Sequence, residues 1–293
     1  MVKGLVYSVV SAVSLGALAI LAKLGLAMSL QPLEIVQYRF FFGALLLVSW
    51  LVITNPGLLR IKPRTLMKAV VLGAGIYPLQ SWTFIKALQH IPASTTSLIY
   101  YGYPLVTTLI AMAVLRFRPS RIVFAALALT ALGCGLVFHD AFSRDLDPKG
   151  MLFALACMGI FSVYLTLVQI FTRNDDAQRI SVWVIICMAT VFSILSPPWA
   201  ILSRPMEAWA IALGLGLIPT ALAVSLLYSA VASIGSAYTS IFSTIEPVTT
   251  VTLAALVLGE SLEAVQLAGM VLIIVGIVLP NARLIRRRRL VRG

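Results

Sequence analysis

The sequence has few charged residues. Only 11% of its 293 residues are Asp, Glu, Lys or Arg, whereas 60% are hydrophobic. A soluble globular domain has about a quarter charged residues, so this chain lacks the side chains that would cover a water-facing surface. The composition therefore predicts an integral membrane protein.

Histidine and cysteine are also scarce. The three cysteines, Cys134, Cys157 and Cys187, are scattered through apolar runs, a pattern that argues against a disulfide framework and a metal site. The two histidines, His90 and His139, fall at predicted helix ends. A membrane-embedded enzyme would need a nucleophile with a base, or a metal cluster, and the sequence contains no HExxH motif. We therefore expect no enzymatic activity, no metal and no cofactor.

Acidic residues are outnumbered, with 10 Asp and Glu against 22 Lys and Arg. Such an imbalance can indicate nucleic-acid binding, but no basic folded domain or stacking motif accompanies it. The basic residues lie between apolar runs and in one C-terminal cluster, RLIRRRR, where contact with anionic lipid explains them. The predicted partners are the lipid bilayer and a small-molecule substrate, not nucleic acid.

Long apolar runs fill most of the chain. A helix that spans a bilayer needs about 20 mostly apolar residues, and by this rule we predict an all-α membrane protein with ten transmembrane helices. The predicted segments are 3–28, 32–54, 66–89, 93–115, 119–138, 149–172, 179–202, 208–232, 236–258 and 262–282.

Positive charges are unevenly distributed between these segments. If the N-terminus is cytoplasmic, most of the loop Lys and Arg residues lie on the cytoplasmic side, and Arg144, Lys149 and Arg204 lie on the other. Cytoplasmic loops have the excess of Lys and Arg. The pattern therefore predicts two cytoplasmic termini.

The two halves of the sequence resemble each other. The stretch IPASTTSLIYYGYPLVTTLIAMAVL aligns with IGSAYTSIFSTIEPVTTVTLAALVL at a shift that pairs Pro104 with Pro247. A shared proline flanked by Ser and Thr is a specific sign of an internal repeat. Since five helices is an odd number, we predict two inverted repeats, 1–145 and 148–293, the second with a basic C-terminal tail. Inverted repeats are typical of secondary transporters, which bind substrate near the midplane between the halves.

The prolines predict helix bends that face a protected space. Proline has no N–H, so the carbonyl four residues earlier loses its partner; these are the carbonyls of Tyr100 for Pro104 and of Ser243 for Pro247. Unpaired backbone at this depth is tolerated only inside protein or against a water-filled cavity. The predicted helix bends are at Pro78, Pro104, Pro219 and Pro247.

Polar and aromatic side chains accompany these bends. Glu246 lies roughly 15 Å deep at 1.5 Å per residue, and an ionisable residue at that depth indicates a functional site. A structural hydrogen bond to a neighbouring helix is the alternative, as helix packing is for the Ser and Thr residues. The predicted substrate-binding residues are Tyr77, Gln80, Tyr100, Tyr101, Tyr228, Ser243 and Glu246.

Other polar residues are given different expected roles. Lys23, Glu34 and Arg39 lie nearer the predicted outer surface and are expected to snorkel or to form ion pairs. In the sixth segment Ser162 shares one helical face with further polar residues, and Tyr164 is expected to point elsewhere.

The second half has a recognisable signature. The stretch EPVTTVTLAALVLGESLEAVQLAGMVLIIVGIVL resembles that of EamA-type carriers of the drug/metabolite transporter superfamily, with a proline-containing ninth helix, a Gly-Glu end and a glycine-spaced tenth helix. The stretch YGYPLVTTLIAMAVL resembles its first-half copy. Within the superfamily, the aromatic IYYGYP is similar to the YddG-like branch of amino-acid exporters.

The resemblance implies a cavity between the halves and alternating access to the two sides of the membrane. It implies a broad-specificity exporter of neutral or aromatic amino acids in a bacterial inner (plasma) membrane, and we expect it to be a monomer. A carrier of drugs, nucleotide sugars or other metabolites is the alternative. The first half departs from the pattern, because Glu246 aligns with Tyr103 and Glu260 with Phe117. Carboxylate chemistry therefore belongs to one half only, and both proton coupling and facilitated diffusion stay open.

Overall fold

A computed structural model describes residues 2–139, 147–259 and 261–292, and all regular structure within these ranges is helical. The α-helices are α1 (Val2–Ala27), α2 (Pro32–Thr54), α3 (Pro63–Val70), α4 (Tyr77–His90), α5 (Ala93–Tyr100), α6 (Tyr103–Leu115), α7 (Arg121–Val137), α8 (Pro148–Phe171), α9 (Ala177–Leu195), α10 (Met206–Gly216), α11 (Ala223–Ile234), α12 (Ser236–Ser243), α13 (Ile245–Leu258) and α14 (Ala264–Arg292). A first π-segment (Val71–Ile76) joins α3 to α4, and a second π-segment (Leu217–Leu222) joins α10 to α11. Glu260 and Arg144 lie outside the described residues.

The helices are those of an integral membrane protein. Within the described ranges, seven helical stretches are long and apolar enough to cross a membrane, and two shorter apolar helices, Arg121–Val137 and Ala264–Leu279, accompany them. Large apolar side chains such as Trp50, Ile53 and Leu256 are well exposed, as a lipid-facing surface requires. The count of ten spans stays a prediction, because the predicted third segment is not among the seven and the fifth and tenth correspond to the two shorter helices.

Each half contains one membrane helix that is broken next to a proline. The break between α5 and α6 precedes Pro104, and the break between α12 and α13 precedes Pro247. A regular helix cannot continue there because proline cannot donate the backbone hydrogen bond and its ring meets the preceding turn. Both prolines are buried, so the bends face protein and not lipid.

The other two predicted bends coincide with the π-segments. Pro78 is the second residue of α4, directly after the first π-segment, and Pro219 lies inside the second. The wider turn accommodates a proline that cannot bond the carbonyl four residues earlier. At Pro219 that carbonyl belongs to Leu215, and the Thr220 hydroxyl donates to it at 2.9 Å. A side chain thus replaces the backbone bond that proline removes.

Helices of the first half pack on helices of the second half. α1 of the first half packs on α11, α12 and α13, and helix α8 of the second half packs on α4, α5 and α6 of the first. Likewise, α2 packs on α10 and α9 packs on α3, while α7 pairs with α14. These contacts keep their pattern when the two halves are exchanged, as a pseudo-twofold relation between the halves predicts.

α7 and α14 cross with their backbones close together. A Cβ atom on Gly133 would lie 2.7 Å from the carbonyl oxygen of Gly269, and one on Gly276 would lie 3.1 Å from that of Ala126. The two contacts exchange under the same sequence shift that pairs Pro104 with Pro247. Small residues allow this approach, and a side chain at the crossing would separate the helices.

We expect Gly133→Ala to lower the free energy of unfolding by about 1–3 kcal/mol, because the added methyl overlaps the backbone of α14. Gly135→Ala is the matched control, since a Cβ atom at Gly135 on the same helix meets nothing within 4 Å. Thermal unfolding of both purified variants in detergent measures the difference. Equal stability of the two variants would contradict the glycine crossing.

Two ion pairs connect helix ends of one half to helix ends of the other. Glu34 at the start of α2 accepts two hydrogen bonds of 2.9 Å from Arg204, which precedes α10. Asp175 precedes α9 and accepts from Lys68 and Thr65 of α3, and these bonds hold the pKa of the Asp175 carboxyl below its usual value. Glu34 is therefore paired, as the sequence suggests. The two pairs attach α2 to α10 and α9 to α3.

Candidate functional site

An aromatic cluster lies between the halves, around the break between α5 and α6. Its rings come from α2, α4, α5, α6, α8 and α11 and from the break itself, so the cluster contains residues of both halves. The aromatic cluster consists of Phe40, Tyr77, Tyr100, Tyr101, Tyr103, Phe161, Tyr164 and Tyr228.

α8 connects the tyrosines of the cluster. The ring of Phe161 lies 4.9 Å from that of Tyr103 between centroids. The ring of Tyr164 lies 5.9 Å from that of Tyr77, and its hydroxyl is 2.8 Å from the Tyr228 hydroxyl. Tyr164 lies on a different face of α8 from Ser162, yet this face belongs to the cluster as well. α8 packs on α4, α5 and α6 and also on α11 and α12, so the face with Ser162, which donates to the Tyr103 carbonyl, and the face with Tyr164 both point inward.

Some members of the cluster keep accessible surface. Tyr103, Tyr164 and Tyr228 are fully buried, and Tyr228 lies behind Tyr164. Tyr100 and Tyr101 are surrounded by protein atoms yet remain partly exposed. We infer from this exposed surface that an internal space lies beside the two rings, and such a space is the usual setting of a small-molecule site. Tyr77 of α4 is also partly exposed and lies at the same cluster.

Glu246 borders the same space. It is the second residue of α13. Protein surrounds its side chain, which nevertheless remains partly exposed. The Tyr101 side chain lies beside it, and the rings of Tyr100 and Tyr103 contact that of Tyr101. A carboxylate from the second half therefore faces tyrosines from the first.

Two other predicted residues lie in the wall of the site. The Gln80 amide nitrogen donates to the Cys157 sulfur at 3.2 Å, which joins α4 to α8. Ser243 is buried beside Tyr103, and its hydroxyl has no hydrogen-bond partner of good geometry among the described residues. The structure thus groups Tyr77, Tyr100, Tyr101 and Glu246 around the space, with Gln80, Ser243 and Tyr228 behind it.

Sequence reasoning missed Arg39. The prediction that it snorkels or pairs near the surface is wrong, because its side chain is only 7% exposed. Its Nε donates to the Thr220 hydroxyl at 3.1 Å and its Nη2 to the Pro219 carbonyl at 3.0 Å. Its guanidinium lies over the Phe40 ring of the aromatic cluster, 4.9 Å from its carbon to the ring centroid. The position of Arg39 in the sequence could have indicated a buried role. It lies seven residues after the start of α2, which is roughly 10 Å along the helix at 1.5 Å per residue.

The space is closed at one end. There α6 packs on α12, and the Phe117 ring meets the Tyr238 ring with centroids 5.7 Å apart. Beside them, the Gln169 side-chain oxygen accepts hydrogen bonds from the backbone and hydroxyl of Ser236, both at 2.7 Å. We call Phe117, Gln169, Ser236 and Tyr238 the closed end. At the opposite end, the exchanged helices α5 and α13 lack comparable packing in the described part of the chain.

No metal centre is evident at the site. Among the described residues, no group of three or more His, Cys, Asp and Glu side chains is arranged to hold a metal ion. The arrangement instead offers one carboxylate, one guanidinium and several aromatic faces, which suit reversible binding of a small organic molecule.

Comparisons with known proteins agree with this architecture. The sequence profile of the EamA-like transporter family matches the chain twice, over residues 2–139 and 148–281. A protein of Bacillus subtilis (strain 168) named uncharacterized transporter YwfM is 25% identical over 265 residues, which cover 87% of this chain and 86% of that protein. A solved crystal structure with 18% identity matches 98% of this chain and 99% of its own with a TM-score of 0.80, which shows a shared fold.

Proposed function

This chain belongs to the EamA-like transporter family, and from that premise we propose that it exports neutral and aromatic amino acids across the bacterial inner membrane. In this proposal both termini are cytoplasmic and the substrate binds in the space between the halves. The observation that carries the proposal is the half-buried Glu246 carboxylate beside the partly exposed rings of Tyr100 and Tyr101.

The site chemistry supports an ammonium-bearing, aromatic substrate. The Glu246 carboxylate attracts the ammonium group in a charge-assisted hydrogen bond, and tyrosine faces add cation–π attraction. Tyr77, Tyr100 and Tyr101 offer edges and faces on which an aromatic or large neutral side chain packs. Such a surface accepts several side chains of similar size, which supports a broad range of amino acids.

The rival substrates are drugs, nucleotide sugars and other metabolites. A phosphorylated substrate needs several cationic or N–H donors around its phosphates. In the described part of the site Arg39 is accompanied by Glu246, and a carboxylate repels a phosphate. The charge of the site therefore favours a zwitterion or a cation over a sugar nucleotide.

The packing of the two ends supports alternating access. With the proposed orientation, the closed end is cytoplasmic and the α5–α13 end is open to the outer side. Export then requires α6 to part from α12 while α13 closes on α5, an exchange that the twofold contact pattern allows. The halves rock around the site, and the substrate is released where the packing opens.

Counterflow in proteoliposomes tests the function. Vesicles that contain the purified protein are preloaded with unlabelled tryptophan, phenylalanine, leucine or a uridine-diphosphate sugar, and uptake of the labelled compound is followed. We expect exchange of the amino acids above protein-free vesicles, and none of the sugar nucleotide. Exchange of the sugar nucleotide without amino-acid exchange would contradict the proposal. Repeating uptake with a pH gradient separates proton coupling, which accelerates uptake, from facilitated diffusion.

A further inference from the structure

We propose that Arg39 binds the α-carboxylate of the substrate, so that the site recognises a zwitterion held between Arg39 and Glu246. This inference rests on the proposed amino-acid transport, and it adds a specificity: the substrate needs a free carboxylate as well as an ammonium group. The following structural features carry it.

The Arg39 guanidinium has donors to spare. A guanidinium presents five N–H groups, and the Thr220 hydroxyl and the Pro219 carbonyl accept from Nε and Nη2. Its Nη1 has no partner among the described residues, and it is not one of the enclosed polar atoms without a partner. Nη1 therefore meets accessible space. Within the described part of the chain, no carboxylate lies at ion-pair distance from Arg39.

The guanidinium is held in place by its two bonds. The Thr220 hydroxyl donates its hydrogen to the Leu215 carbonyl, so its oxygen is free to accept from Arg39. The Phe40 ring supports the guanidinium from one face, 4.9 Å from its carbon to the ring centroid. A donor fixed in this way loses little conformational freedom when it binds an anion. Nη1 is thus preorganised for a carboxylate.

The other half of the protein shows that the fold does not need this arginine. The first π-segment packs against α9, where a Cβ atom on Gly73 would lie 2.5 Å from the Val184 carbonyl oxygen. The repeat shift that pairs Pro104 with Pro247 pairs Arg39 with Val182, a buried valine that packs against Leu51 and Leu58, and the α9 residues that meet Gly73 are Val184 and Cys187. A π-segment is therefore stable against its neighbour without a guanidinium. The charge at Arg39 is an addition to the repeat, as the charge at Glu246 is.

The two added charges complement an amino acid. Arg39 comes from the first half, and its guanidinium lies over Phe40 of the aromatic cluster; Glu246 comes from the second half and lies beside Tyr101 of the same cluster. A carboxylate forms strong, often bidentate bonds with a guanidinium, while the ammonium group pairs with the Glu246 carboxylate. A substrate that bridges them also bridges the two halves. Tryptamine and tryptophanamide keep the indole and the amine but lack the carboxylate, so they separate the two contacts.

Competition experiments test the role of Arg39. We measure how tryptophan, tryptamine and tryptophanamide inhibit labelled tryptophan counterflow by the wild type and by Arg39→Gln. In the wild type, we expect the two analogues to inhibit at least about tenfold more weakly than tryptophan, since one charge-assisted bond is missing. In Arg39→Gln, tryptophan should weaken by about the same factor and the analogues should not, so the preference disappears. Arg39→Lys, which keeps a positive charge, should restore part of it.

Arg204→Gln is the matched control. It removes an arginine that pairs with Glu34 at a helix end, so it should leave the preference for tryptophan unchanged. A purely structural loss in Arg39→Gln would weaken tryptophan and tryptamine equally, and that result would overturn the inference.

The wild type alone gives an independent test if Arg39→Gln does not fold. Equal inhibition of the wild type by tryptamine and tryptophan would show that the carboxylate is not recognised, and would overturn the inference while amino-acid transport stands. Absence of any amino-acid exchange by the wild type would instead overturn the proposed function, and the inference with it.

Discussion

Glu246→Gln is expected to reduce amino-acid counterflow at least about tenfold, because a hydrogen bond to a charged group contributes roughly 1.5–3 kcal/mol. The amide keeps the size and shape of the side chain, so the change removes mainly the negative charge. The substrate ammonium then has no carboxylate partner at the site. We expect the KM for tryptophan to rise while the amount of folded protein stays near that of the wild type. Initial counterflow rates measure the KM, and size-exclusion chromatography measures the folded protein.

Glu207→Gln is the control for this change. Glu207 is an exposed residue in the first turn of α10, and the variant has the same charge change away from the site. Its counterflow should match that of the wild type. If Glu246→Gln retained wild-type rates and the wild-type response to a pH gradient, the carboxylate would have no part in transport.

Cross-linking the closed end is expected to stop transport. Phe117 and Tyr238 lie in ring contact across α6 and α12, so cysteines at both positions are close enough for a short, reducible bifunctional thiol reagent. Because export requires α6 to part from α12, the cross-linked double variant should lose nearly all counterflow. Reduction of the cross-link should restore it. Counterflow before treatment, after treatment and after reduction is the measurement.

The two single-cysteine variants control for modification alone. They keep the same native cysteines, of which Cys134 and Cys157 are buried and Cys187 is partly exposed, and treatment should leave their counterflow largely unchanged. Full transport by a demonstrably cross-linked double variant would mean that this end stays closed during the cycle, and the alternating-access proposal would be wrong.

Local chemistry made the bends predictable. Proline removes a donor wherever it occurs, so the breaks beside Pro104 and Pro247 follow from the sequence alone. The form of each bend does not. In the second π-segment, the Thr220 hydroxyl and the Arg39 guanidinium, which approaches from 180 residues away, bond backbone carbonyls around Pro219. Sequence reading sees the first of these partners and has no means of seeing the second.

The aromatic cluster was predicted only in part, for a geometric reason. Helical periodicity identifies the residues that share a face, and it correctly separates Ser162 from Tyr164. It cannot show that α8 is enclosed on more than one side, and therefore that Phe161 and Tyr164 both belong to the cluster. Glu246 was identifiable because a carboxylate deep in an apolar helix has few structural explanations.

The structure of the full-length protein in lipid nanodiscs with bound tryptophan tests the central claim most directly. The account predicts tryptophan density between the halves, with its ammonium group within hydrogen-bonding distance of Glu246 and its ring against the tyrosines of α4 and α5. It also predicts that Pro104 and Pro247 stay inside the protein. Tryptophan bound elsewhere, or lipid density against these prolines, would contradict the account.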